Sequence, residues 1–172
     1  AFRYASRRGV LLVHSAGNSH TDNDIKPSYP NRFPLYYPGH RISTWLDIGA
    51  SANYKDQKLA TSFTNFGKDS VDLFAPGYKI MSTTPGNNYQ AFSGTSMASP
   101  VVSGVAALAL TYFPDLKGRQ LKKAILETVR TYEGHMVKNP ATPEVMVPFS
   151  ELSATGGVVD AYQLLQHLQE KQ

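Results

Sequence analysis

SGTSMASPVVSGVAALAL, Ser93 to Leu110, decides how the rest of the chain is read. Small residues surround one serine, Ser96, and a run of apolar and small residues follows without a charge in it. A helix that is apolar all round has no face for water and belongs in an interior, so the run predicts a buried central helix ending near Pro114. Pro100 lacks the N–H that would bond the carbonyl of residue 96, which puts Ser96 at the N-terminal end of that helix. Unpaired backbone N–H groups gather there and favour negative charge. The pattern alone leaves two readings open. Ser96 is a nucleophile held where an anion is stabilised, or it joins Ser93, Thr95 and Ser99 as small hydroxyl residues that cap a helix start.

Working towards the N-terminus, AFRYASRR reads as the last turns of a helix stopped by Gly9, and Val10 to Gly17, VLLVHSAG, as a strand buried on both faces. That strand ends in Gly17 and Asn18. An amide at the carboxyl end of an inner parallel strand is where such sheets place their sites, although asparagine is equally a common turn residue. Prolines at 27, 30, 34 and 38 make the following segment a surface loop. Further strands are expected at 45–50, in LFAP (73–76) and in KIMSTT (79–84), with a turn and a short extended piece at 85–94 delivering the chain to Ser96. Beyond the central helix, apolar residues at Leu121, Ala124, Ile125 and Val129 predict a second helix over 119–132. Residues 133–155 read as loop and short hairpin, and DAYQLLQHLQ, from Asp160, as a terminal helix.

A chain of 172 residues with 41% hydrophobic and 17% charged residues is long enough for one domain with a real core. The net charge of +4 is modest, and the basic pairs Arg7–Arg8 and Lys122–Lys123 read as solvated faces, so no nucleic-acid partner is expected. The absence of cysteine excludes disulfides, thiolate metal sites and a Cys nucleophile. Val101 to Leu110 falls short of the roughly twenty residues a membrane span needs, so no membrane partner is expected. AFRYASRRG has no secretion-signal pattern, and the chain reads as cut from something longer.

GTSMASP (94–100) resembles the signature around the nucleophilic serine of the subtilisin-like serine proteases, and VHSAGN (13–18) is similar to that family's strand ending in the oxyanion-hole asparagine. The stretch from Thr61 to Ser96, with its FAPG, and TGGVVDAYQLL (155–165) extend the resemblance over nearly the whole chain. It implies a three-layer α/β/α fold with a mostly parallel sheet, of which residues 1–172 supply the C-terminal portion of the catalytic domain. It implies Ser96 as nucleophile and Asn18 as donor to the oxyanion of a peptide-bond hydrolysis. Ser15, Ala16, Gly17 and Thr95 are implied at the substrate, a peptide or protein. Localisation by the same resemblance is secreted or periplasmic.

In this family the chain order is Asp, His, Ser, and neither partner's signature precedes Asn18. His14 sits inside the inner strand and is expected to be a wall or core residue. His20, His40, His135 and His167 lack the context of a general base. The chain by itself is therefore expected to be inactive, and a non-catalytic relative that binds peptide in the same groove is the alternative. An α/β-hydrolase would need G-x-S-x-G, which GTSMA lacks. No cofactor is required. The resemblance makes structural calcium conceivable at Asp22, Asp24 or Asp56, but three scattered carboxylates assign no metal. Tyr29–Pro30 resembles a position that is often cis in the family. A half-sheet also has an open edge, which predicts self-association of the chain.

Overall fold

The alternation of short apolar runs and glycine-stopped helices builds a sheet backed by helices. The structure is a computed structural model that describes residues 1–33, 40–52 and 58–171. Helix α1 (Phe2–Arg7) stops at Gly9, whose φ of +79° suits glycine. The chain then enters β1 (Leu12–Ser15) and, after the proline-rich loop, β2 (Trp45–Ser51) and β3 (Leu73–Pro76). A hairpin of β4 (Ile80–Thr84) and β5 (Asn88–Phe92) leads into α2 (Thr95–Tyr112) and α3 (Gly118–Glu127). There follow β6 (Arg130–Thr131), the hairpin pair β7 (Met136–Lys138) and β8 (Met146–Pro148), β9 (Gly157–Val158) and α4 (Ala161–Glu170). The main sheet runs β1-β2-β3-β9-β6, parallel except where β6 meets β9.

Register sorts the side chains into two layers. Val13 lies beside Leu46, Ser15 beside Ile48, and Ile48 beside Leu73. Leu46, Ile48, Ala50, Leu73 and Ala75 form one face and pack against Ala98, Val102, Ala106 and Ala109 of α2, joined by Leu121 and Ile125 of α3 and Leu164 of α4. Alanines on the helix allow close approach: a Cβ on Gly77 would lie 2.8 Å from that of Ala50 and 3.2 Å from that of Ala98. On the opposite face Phe74 packs with Phe149, Leu152 and Val137.

Three expectations change. Only one stripe of α2 is buried; Leu108, Leu110 and Tyr112 on its outer side are exposed. The helix has 18 residues and, by length and composition alone, is long and apolar enough to cross a membrane, although its inner stripe packs on the sheet. The second helix ends at Glu127 rather than near Tyr132. Thr128 turns its hydroxyl back onto the Ala124 carbonyl, and Arg130–Thr131 is drawn into pairing with Val158 and Gly157. The Tyr29–Pro30 bond, by contrast, is cis as the resemblance implied.

The loop after Asn18 is tied down by charge. Arg32, 2% exposed, donates from Nη2 to Asp47 (2.9 Å), Asp72 (2.6 Å) and the Ser70 carbonyl (2.7 Å), and from Nη1 to Asp72 (3.1 Å). Burial works to lower the Arg32 pKa, but the two carboxylates outweigh it and leave it raised. Asp47 follows the same logic. Burial pushes it up, and hydrogen bonds from His14 and Arg32 hold it below the usual carboxylate range.

Candidate active site

Strand β1 carries the chain to the site. The Ala16 N–H continues the ladder onto the Ile48 carbonyl, and Gly17, with φ of +112°, turns the chain where a side chain would be strained. Asn18 therefore emerges beyond the strand end, exposed, beside the start of α2. Its Oδ1 accepts from the Thr95 N–H at 2.9 Å and from the Thr95 hydroxyl at 3.0 Å. A backbone N–H can only donate, so these bonds fix which way the amide lies. The Asn18 NH₂ is turned away from Thr95.

Ser96 is exposed in the first turn of α2, and none of the backbone bonds among the described residues engages its N–H. Gly94 reveals what lies between this N–H and Asn18. A Cβ built there would sit 3.3 Å from Asn18 Nδ2 and 3.7 Å from Ser96 N. That position is bordered by two nitrogen donors and by Met97 Sδ at 3.6 Å, at the positive end of an 18-residue helix. An oxygen that gains negative charge after attack by Ser96 would be stabilised there.

The residues expected at the substrate divide. Ser15 and Gly17 are half-buried along the strand end, whereas Ala16 and Thr95 are fully buried at 0% exposure. The Thr95 side chain is turned inward. Its hydroxyl accepts from the Gly17 N–H at 3.2 Å and donates to Asn18, so it joins the two turns of the site. Residue order could not show this, because adjacency to a serine does not say which way a side chain points.

Chemistry at Ser96 also needs a base. His14 lies on the sheet face opposite α2, where Nδ1 meets Asp47 at 2.7 Å and the ring stacks on Trp45 with centroids 5.0 Å apart. His20 Nδ1 meets the Ser62 carbonyl at 2.6 Å, and His167 faces Glu127 at 3.5 Å. None of these bonds reaches the Ser96 hydroxyl. Asp22 and Asp24 turn carboxylate oxygens onto backbone amides, of Asp24 and of Asp69 and Ser70 respectively. Among the described residues no group of three His, Cys, Asp or Glu is placed to hold a metal, and Asp56 lies outside the described residues.

The Subtilase family profile matches residues 1–144. The chain belongs to the subtilase family. Among subtilase relatives, subtilisin-like protease 2 of Plasmodium falciparum (isolate 3D7) is 42% identical over 103 residues, covering 59% of this chain and 7% of the relative. Fervidolysin of Fervidobacterium pennivorans is 31% identical over 153 residues, covering 78% and 20%. The solved subtilase cytotoxin SubAB assembly matches 99% of this chain and 52% of its own at a TM-score of 0.75 and 22% identity, a likeness of fold. The chain thus spans about half of that solved subtilase and a fifth or less of these two curated relatives.

Two features of this subtilase site were not read from the sequence. One is the buried Arg32 with its two aspartates, and the other is Asn65 beneath the Asn18 turn. Both depend on contacts between residues far apart in the chain, and the only local signal for Asn65 was an asparagine before an aromatic residue and a glycine.

Proposed function

We propose that this chain carries the nucleophile and the oxyanion site of a subtilisin-type serine endopeptidase. The observation that supports this most directly is the pair of donors, Asn18 Nδ2 and Ser96 N–H, around the space left by Gly94. In the proposed reaction the Ser96 hydroxyl attacks the scissile carbonyl while a base takes its proton. The carbonyl oxygen becomes an oxyanion that accepts from both donors. Collapse breaks the C–N bond, and the amine leaves with the proton returned by the base. Water then releases the acyl group from Ser96 by the same steps.

The base and the carboxylate that orients it are proposed to come from a part of the catalytic domain outside these 172 residues, so the chain alone is expected to be inactive. Ser15 and Gly17 are proposed to form a wall for the peptide substrate. No cofactor takes part in the proposed steps. Export from the cytoplasm belongs to the same proposal and rests on kinship with subtilisins.

Peptide hydrolysis by the protein that carries this chain together with its catalytic Asp and His tests the reading. Ser96→Ala is expected to reduce turnover to background, and Asn18→Ala to lower kcat with little change in KM. Removal of such a donor is known from subtilisin itself to cost about 10²–10³-fold, a size taken over rather than derived from this geometry. Peptide binding without turnover in the unaltered protein would overturn the peptidase and favour a peptide-binding relative.

A further inference from the structure

We infer that Asn65 is a positioning residue for the oxyanion site, acting through Asn18. The inference rests on the peptidase reading above. Asn65 is 5% exposed, and its bonds bracket Asn18 on both sides without touching it. Its N–H donates to the Gly17 carbonyl at 2.8 Å and its Nδ2 to the Ala16 carbonyl at 3.1 Å. Its Oδ1 accepts from the N–H of Ser19 at 2.7 Å and of Thr21 at 3.1 Å. The second Nδ2 bond goes to Asn23 Oδ1 at 3.0 Å, and Asn23 in turn donates to the Ala16 carbonyl at 2.9 Å. The Gly17 bond is made by the Asn65 backbone, whereas its buried side-chain amide ties Ala16, two residues before Asn18, to Ser19 and Thr21 after it.

Two further observations point the same way. A Cβ on Gly17 would lie 2.5 Å from Asn65 Nδ2, so the bare glycine is what admits the amide beneath the turn. Asn65 is itself anchored to the sheet, since its carbonyl accepts from the Thr64 hydroxyl at 2.9 Å, which accepts from the Ala50 N–H at 2.9 Å. The Asn18 side chain, by contrast, is exposed and, among the described residues, held through Oδ1 by Thr95. Donors to an oxyanion act through being held in place before the reaction, and a displacement of about 1 Å costs up to about 10²-fold in rate. Asn65 supplies that hold from the sheet side, as Thr95 does from the helix side.

A double-mutant cycle in the full-length protein tests this. Asn65→Ala is expected to lower kcat by about 10-fold or more, up to about 10²-fold, with KM nearly unchanged. In an Asn18→Ala background the same change is expected to leave kcat within about 2-fold, because its target is already gone. Losses that add in full would overturn the inference. Asn65→Asp covers the case in which the alanine variant does not fold. It keeps the acceptor for Ser19 and Thr21 but, ionised, cannot donate to Ala16, whereas the protonated carboxyl regains one donor. Its kcat relative to the unaltered protein at the same pH should therefore rise as pH falls, and a flat ratio would overturn the inference. If Asn18→Ala itself leaves kcat unchanged, the oxyanion reading falls and this inference with it. If Asn18→Ala is costly and Asn65 adds independently, only the inference falls.

Discussion

Gly94 and Thr95 shape the site as much as Ser96 does. Gly94 is extended, with φ of 161°, so alanine there meets no backbone strain, yet its methyl would enter the space between Asn18 Nδ2 and Ser96 N. Gly94→Ala is therefore expected to lower kcat by about 10²-fold or more, the scale of losing an oxyanion donor, while thermal unfolding shifts little. A variant with unchanged kcat would show that the oxyanion does not occupy this space. The sequence singled out Ser96 and Asn18 because each stands in a contiguous motif at the end of a predictable element, and the structure sets the two beside each other around Thr95. Thr95 was expected at the substrate, and its bonds to Gly17 and Asn18 were not read because those residues lie more than seventy positions away. Asn65 was not read at all for a similar reason: its partners lie more than forty positions back.

At the scale of elements, the start of α2 was readable from Pro100, but the apolar run concealed which side of the helix packs. A helix with alanine, valine and leucine on every side carries no pattern to distinguish a packed stripe from an open one. The loop after Asn18 is irregular over its described residues, as expected, whereas 34–39 lie outside them; its anchor escaped notice. Arg32 lies 15 residues from Asp47 and 40 from Asp72, and only the parallel register of β2 and β3 brings the two aspartates together. Breaking such a buried group leaves charges without a partner, so Arg32→Ala is expected to destabilise by about 3–5 kcal/mol. Denaturant unfolding would measure it, and a loss under about 1 kcal/mol would mean that the carboxylates find other partners. Asp47 adds a pH dependence to the same anchor. Its folded pKa is depressed, so its contribution is complete above the ordinary Asp value of about 4 and is lost as pH falls through the lower folded value.

For the molecule as a whole, sheet, helical layer and site form one arrangement. β2 is buried along its full length, while β1 at the sheet edge is only half-buried and the outer side of α2 exposes leucines and a tyrosine. The α/β class was legible because glycine-stopped helices and short apolar strands alternate along the chain. The sheet order was not, since β9 joins β3 from eighty residues further on through a single paired position. The fold sets Ser96 at the positive end of α2 and Asn18 just past the end of β1, and in the proposed reaction this pairing makes Ser96 the acylated residue. The most direct test treats the full-length protein with a serine-directed phosphonate and maps the modified peptide. Labelling of Ser96, abolished in Ser96→Ala, is the predicted result. Labelling at another residue, or none with the catalytic Asp and His intact, would contradict it.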